Sequence, residues 1–141
     1  MEINITLDAP ANFIFNKLIA SMEADIKRET NKDVDLYNLS GYSYDKSWSN
    51  GLTGKLVISK IIKNQQYQYR LKTPKDTYTV NYQFTDVTKQ KTNLHYIETI
   101  TAKSKKDAAN NRTAGFLLGW LRKHRFKKMV RQLAAQYSST N

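Results

Sequence analysis

The stretch DAANNRTAGFLLGWLRKHRFKKMVRQLAAQY, residues 107–137, decides the fold. Ala114, Leu117, Leu118, Leu121, Met129, Val130, Leu133 and Tyr137 recur at helical spacing, which predicts one long amphipathic helix with a single core-facing stripe. Upstream of it the apolar period is two, the spacing of half-buried strands. A chain that spells strand, helix, several strands and one long final helix has few ways to bury itself. The simplest is an α+β fold: a curved antiparallel sheet of about six strands wrapped around the last helix, with a cavity between them.

The strands follow from alternation. Thr77–Val87 is the clearest, with Tyr78, Val80, Tyr82 and Phe84 opposed to Thr77, Thr79, Asn81 and Gln83. Leu39–Trp48 places Tyr42, Tyr44 and Trp48 on one face. Lys55–Lys63, Tyr67–Thr73 and Asn93–Ala102 complete the series. Asn50-Gly51 and Pro74-Lys75-Asp76 mark turns. Every link is a few residues long, so neighbouring strands run antiparallel.

At the other end, Glu2–Leu7 alternates Ile3, Ile5 and Leu7 with polar residues and reads as a strand. Asp8-Ala9-Pro10 predicts a helix capped by Asp8 with Pro10 inside its start. Phe13, Ile14, Leu18, Met22 and Ile26 carry it to Thr30-Asn31-Lys32-Asp33, as one helix or as two short ones kinked near Ser21.

Residues 1–141 fit a single domain with an ordinary core, since 40% of the chain is hydrophobic and 25% charged. No cysteine is present, which excludes disulfides, thiolate nucleophiles and cysteine zinc sites and suits a cytoplasmic location. The N-terminus shows no secretory pattern. The most apolar run, Gly115 to Leu121, is far shorter than the ~20 residues of a membrane span. Residues 1–54 carry 5 Lys and Arg against 8 Asp and Glu, a net −3, whereas residues 55–141 carry 18 against 4, a net +14. Such asymmetry is expected either of solvated strand and helix faces or of a surface for an anionic partner.

The order of elements resembles the START-like superfamily, also called Bet v 1-like, SRPBCC or helix-grip. The segments INITLDAPANFIFNKLIASMEADIK (Ile3 to Lys27) and TAGFLLGWLRKHRFKKMVRQLA (Thr113 to Ala134) resemble, more narrowly, an uncharacterised family of short Gram-positive bacterial proteins within it. The resemblance implies a hydrophobic cavity between sheet and helix. Members bind lipids, sterols, polyketides or other apolar molecules, and some are cyclases, hydrolases or co-chaperone-like modules. It carries no shared catalytic motif.

Parity names the candidates. Tyr42, Trp48, Tyr78, Tyr82, Phe84 and Tyr96, with Phe116 and Trp120 from the helix, are expected to line the cavity and bind a small hydrophobic or amphiphilic ligand. Glu98 shares parity with Leu94, Tyr96 and Ile100, so its carboxylate points inward as a polar anchor, and Lys46 is a conceivable partner across the cavity. Gly115 and Gly119 suit close packing or a bend. Arg122, Lys123, Arg125, Lys127, Lys128 and Arg131 place six cations in ten residues, with Lys123, Lys127 and Arg131 on one stripe. That stripe could engage nucleic acid, an anionic membrane surface or an acidic protein, or simply face water. His95 and His124 have no metal-ligand spacing, and no nucleophile elbow or phosphate loop occurs, so no metal, cofactor or catalytic residue is expected. Non-catalytic ligand binding is the favoured reading, an anionic-partner module the alternative and a polyketide-cyclase-like enzyme the third.

Overall fold

The computed structural model describes residues 1–39, 41–49, 51, 53–102 and 122–138. Phe116, Trp120, Gly115, Gly119 and the stripe positions Ala114 to Leu121 lie outside the described residues. Six strands are present: β1 (Glu2–Leu7), β2 (Ser43–Ser47), β3 (Thr53–Ile62), β4 (Gln66–Lys72), β5 (Asp76–Thr88) and β6 (Lys91–Ala102). They form one antiparallel sheet in the order β1-β6-β5-β4-β3-β2. The first two strands in sequence therefore hold opposite edges. A helix, α1 (Ala11–Thr30), carries the chain between them, and the meander returns strand by strand to β1.

The sequence allowed one or two short helices here; the structure has a single one of 20 residues. No glycine or proline falls between Ala11 and Thr30, and Ser21 is exposed, so nothing interrupts the hydrogen-bond ladder. Asp8 does not cap it. Pro10 takes that position with extended backbone, and its carbonyl accepts from Phe13 and Ile14 at 3.1 and 3.3 Å. Asp8 instead reaches Lys91 at 3.5 Å. Asn31, in the left-handed region at φ 59°, ends the helix as expected of an asparagine there. Leu36–Asn38 adds a 3-10 turn that periodicity did not reveal, held by the Asp35 side chain accepting from the Tyr37 N–H at 3.1 Å.

The terminal helix α2, described over residues 122–138, lies on the same side of the sheet as α1. Phe126 packs on Tyr96, with ring centroids 4.1 Å apart, and Val130 and Ala134 are buried one and two turns on. Phe13 of α1 meets Tyr137 of α2 edge-on at 5.2 Å. Both helices thus close over Ile3, Ile5, Leu7, Leu56, Ile58, Val80, Phe84 and Leu94, all buried. Met129, expected in the stripe, is exposed; its place is taken by Phe126, whose spacing to Val130 and Ala134 is i, i+4, i+8. Bulges interrupt the register at Ile58/Lys60 and Asp86/Thr88. No described helix is long and apolar enough to cross a membrane.

Candidate functional site

A belt of tyrosines crosses the inner face. Tyr67 of β4 stacks on Tyr82 of β5 at 5.5 Å, Tyr82 meets Tyr96 of β6 edge-on at 5.0 Å, and Tyr69 lies 5.5 Å from Tyr67. Cross-strand register makes these contacts: Tyr67 is opposite Tyr82, and Tyr82 opposite Tyr96. Burial, and after it neighbouring phenols and carboxylates, pushes the pKa of Tyr67, Tyr82 and Tyr96 well above the ordinary tyrosine range. Tyr69 is pushed up to about 12, by burial first and then by the Glu98 charge, against Arg122. The Tyr67 hydroxyl is buried with no hydrogen-bond partner among the described residues.

Two buried carboxylates flank the belt. Glu98 is 5% exposed, as its inward parity required. It accepts from the Tyr96 hydroxyl at 2.8 Å on one oxygen and from Arg122 of α2 on the other. Its own main-chain carbonyl accepts from the N-terminal amine at 2.7 Å. Asp25 of α1 holds the other end. One oxygen accepts from Lys46 at 2.7 Å and Arg28 at 2.8 Å, the other from the Tyr44 hydroxyl at 2.5 Å. Burial works to raise this carboxyl, but the hydrogen bonds from Lys46 and Tyr44, the Lys46 charge and the Arg28 hydrogen bond outweigh it and hold it below the ordinary value.

The conceivable Lys46–Glu98 pair does not form. β2 and β6 are separated by three strands, which at ~4.8 Å per step puts the two residues roughly 19 Å apart. Each takes a nearer partner from a helix. Asp25 was not singled out in the sequence, although its place between Met22 and Ile26 on the apolar face of α1 was a legible signal.

Beside this polar end lie two cavities. One of about 530 Å³ is lined by Trp48, Gly51, Thr53, Leu71, Thr73, Pro74, Lys75, Asp76 and Tyr78. The other, of about 400 Å³, lies between α1 and the β2–β4 edge, with Asp25, Arg28 and Lys46 in its wall. Gly54 packs against Trp48 and Leu71, the two residues that line both cavities: a Cβ there would stand 2.9 Å from the Lys72 carbonyl oxygen, 3.2 Å from Leu71 and 3.5 Å from the Trp48 ring.

The family model described as a domain of unknown function (DUF3284) matches residues 1–119. The chain belongs to the DUF3284 family. No curated protein matches this DUF3284 chain. Among solved structures, a conserved protein from Geobacillus kaustophilus is similar at TM-score 0.60 and 18% identity, over 96% of this chain and 95% of that one. The ZhuI aromatase/cyclase from a Streptomyces species is similar at TM-score 0.61 and 11% identity, over 98% and 92%. An HSP90 activator from Plasmodium falciparum is similar at TM-score 0.52 and 20% identity, over 84% and 95%. These likenesses show that the chain shares its helix-grip fold with these proteins.

Of the lining expected from sequence, Trp48 and Tyr78 face the larger cavity of this DUF3284 domain, and Trp48 faces the smaller as well. Tyr82, Phe84 and Tyr96 are packed into the core with 5–7% exposure, and half-buried Tyr42 lies 6.3 Å from Tyr44. The stripe Lys123, Lys127 and Arg131 is on α2, with Lys123 and Arg131 exposed and Lys127 half-buried; Arg122 turns inward to Glu98. Leu71, Thr73 and Asp76 line the larger cavity without having been anticipated. Thr73 and Asp76 are polar residues at a turn, buried there by their own hydrogen bond of 2.7 Å. No group of three or more His, Asp or Glu side chains suited to a metal occurs among the described residues.

Proposed function

We propose that this domain binds a small hydrophobic or amphiphilic molecule on the inner side of its sheet. The 530 Å³ cavity walled by Trp48, Leu71, Pro74 and Tyr78 supports this most directly. Its volume lies in the range of small-molecule sites, and its apolar wall carries a few fixed polar groups at Thr73 and Asp76. Tyr69 of the tyrosine belt walls the adjoining smaller cavity, and the Asp25 and Glu98 pairs fasten both helices to the sheet. Native mass spectrometry of freshly purified protein should show a stoichiometric co-purifying mass that vanishes on denaturation. An anilinonaphthalene dye should compete with that molecule, and Trp48→Ala should weaken the dye. No bound mass and no dye binding would remove the reading.

A second reading has its own observation. Lys123, Arg125, Lys127, Lys128 and Arg131 have no ion-pair partner among the described residues, and residues 122–138 contain no carboxylate. The helix could rest this face on nucleic acid or another polyanion. Such binding falls steeply with salt, whereas an apolar ligand is nearly indifferent to it. A cyclase-like reaction, the third reading, would act through Glu98 and would be lost in Glu98→Gln.

A further inference from the structure

The two cavities have different chemistry and share two walls, Trp48 and Leu71. The larger is the more apolar, with Leu71, Pro74 and Tyr78 in its wall beside Thr73, Lys75 and Asp76. The smaller is bounded by charged groups from α1 and β2. In it, Lys46 and Arg28 both donate to the same Asp25 oxygen, while Tyr44 takes the other. Both Asp25 oxygens are therefore engaged, by three donors for about four lone-pair sites. What remains is mostly donors, because an ammonium has three N–H groups and a guanidinium five, and each gives one to Asp25. Two cations on one carboxylate also leave one positive charge unmatched in the cavity wall. Glu29, the next carboxylate along α1, turns to the Ser47 N–H at 3.4 Å and lines neither cavity.

We propose that the ligand is an anionic amphiphile, a carboxylic acid with an apolar tail, whose head group takes the remaining donors of Arg28 and Lys46 while its tail passes Trp48 and Leu71 into the larger cavity. This rests on the small-molecule reading above and specifies the ligand class. A single negative charge matches the single unmatched cation. A cationic head would meet Lys46 and Arg28 with the Asp25 charge already neutralised, and a neutral head would accept hydrogen bonds from the two cations without bringing a countercharge.

Calorimetric titration with decanoate, decanol and decyltrimethylammonium, which share one tail length, tests it. Decanoate should bind roughly tenfold tighter than decanol, the advantage of a charge-assisted hydrogen bond, and decyltrimethylammonium should bind weakest. Arg28→Gln should cost decanoate far more than decanol and so remove most of the advantage of decanoate. The Arg28 side chain is 70% exposed, and Asp25 keeps Lys46 and Tyr44, so this variant folds. Lys46→Met should act in the same direction. Equal binding of the three probes, or equal loss of decanoate and decanol in Arg28→Gln, overturns the anionic head while leaving the cavity as a ligand site. Binding of none of the three overturns the small-molecule reading and this inference with it.

Discussion

Glu98 of β6 and Arg122 of α2 are ion-paired, and the pair fastens the strand beside β1 to the first described turn of the terminal helix. The Tyr96 hydroxyl completes the carboxylate at 2.8 Å, so a charge that would be costly on the apolar face is fully paired. On the opposite flank Asp25 does the same for α1 and β2. Each helix is thus tied to the sheet by one buried acid.

Arg122→Met should leave buried Glu98 with Tyr96 as its one side-chain partner among the described residues and lower stability by about 1–3 kcal/mol. The lower part of that range is favoured because the Arg122 side chain is 44% exposed and solvent already screens the pair. Glu98→Gln, which keeps the Tyr96 hydrogen bond, should cost less. Urea unfolding of both variants measures the order, and an unchanged midpoint in Arg122→Met refutes the tie.

Asp25 sets an acid limit. Its carboxyl is held below the ordinary value, despite burial, by Lys46, Tyr44 and Arg28. A depressed carboxyl contributes stability that is fully present above the unfolded value of about 3.9 and is lost as pH falls through the lower folded value. Lys46→Met should therefore narrow the gap in stability between neutral pH and acid. Thermal unfolding of both proteins as a function of pH reads this out; parallel curves would sink it.

The tyrosine belt sets an alkaline limit of opposite sign. Tyr44, Tyr67, Tyr69, Tyr82 and Tyr96 are all raised, burial being the first cause in each. Above about pH 10 the unfolded chain loses phenol protons that the folded chain keeps, so stability falls as pH rises. Phenolate absorbance should then appear together with loss of the fold. Independent titration of these tyrosines in a folded protein contradicts the packing.

Gly54→Ala should destabilise by about 1–3 kcal/mol, because its new Cβ meets the backbone oxygen of Lys72 at 2.9 Å as well as Leu71. The same substitution should shift Trp48 fluorescence, since that ring lies within 3.5 Å of the added atom. A neutral effect on both readings would show that the packing around Gly54 has slack.

Much of the fold was legible because strand alternation and helix periodicity are local. The inward parity of Tyr78, Val80, Tyr82 and Phe84 appears in the structure as drawn from sequence, and so does the burial of Glu98. The N-cap was misread because Asp8 and Pro10 both suit a helix start, and only the backbone shows which takes the position. Phe126 was passed over inside a run of cations, where charge hid the i, i+4, i+8 spacing that buries it.

By itself the amino-acid order determined the strands, their antiparallel meander, the α+β class and the facing of most side chains, since those depend on period, turn residues and short links. Tertiary structure alone decided the partners. Lys46 and Glu98 share inward parity, yet the sheet places three strands between them, and Asp25 and Arg122 reach them from helices distant in sequence. Pairing energies depend on distances of a few ångströms, and such distances between remote segments exist only once the chain has closed.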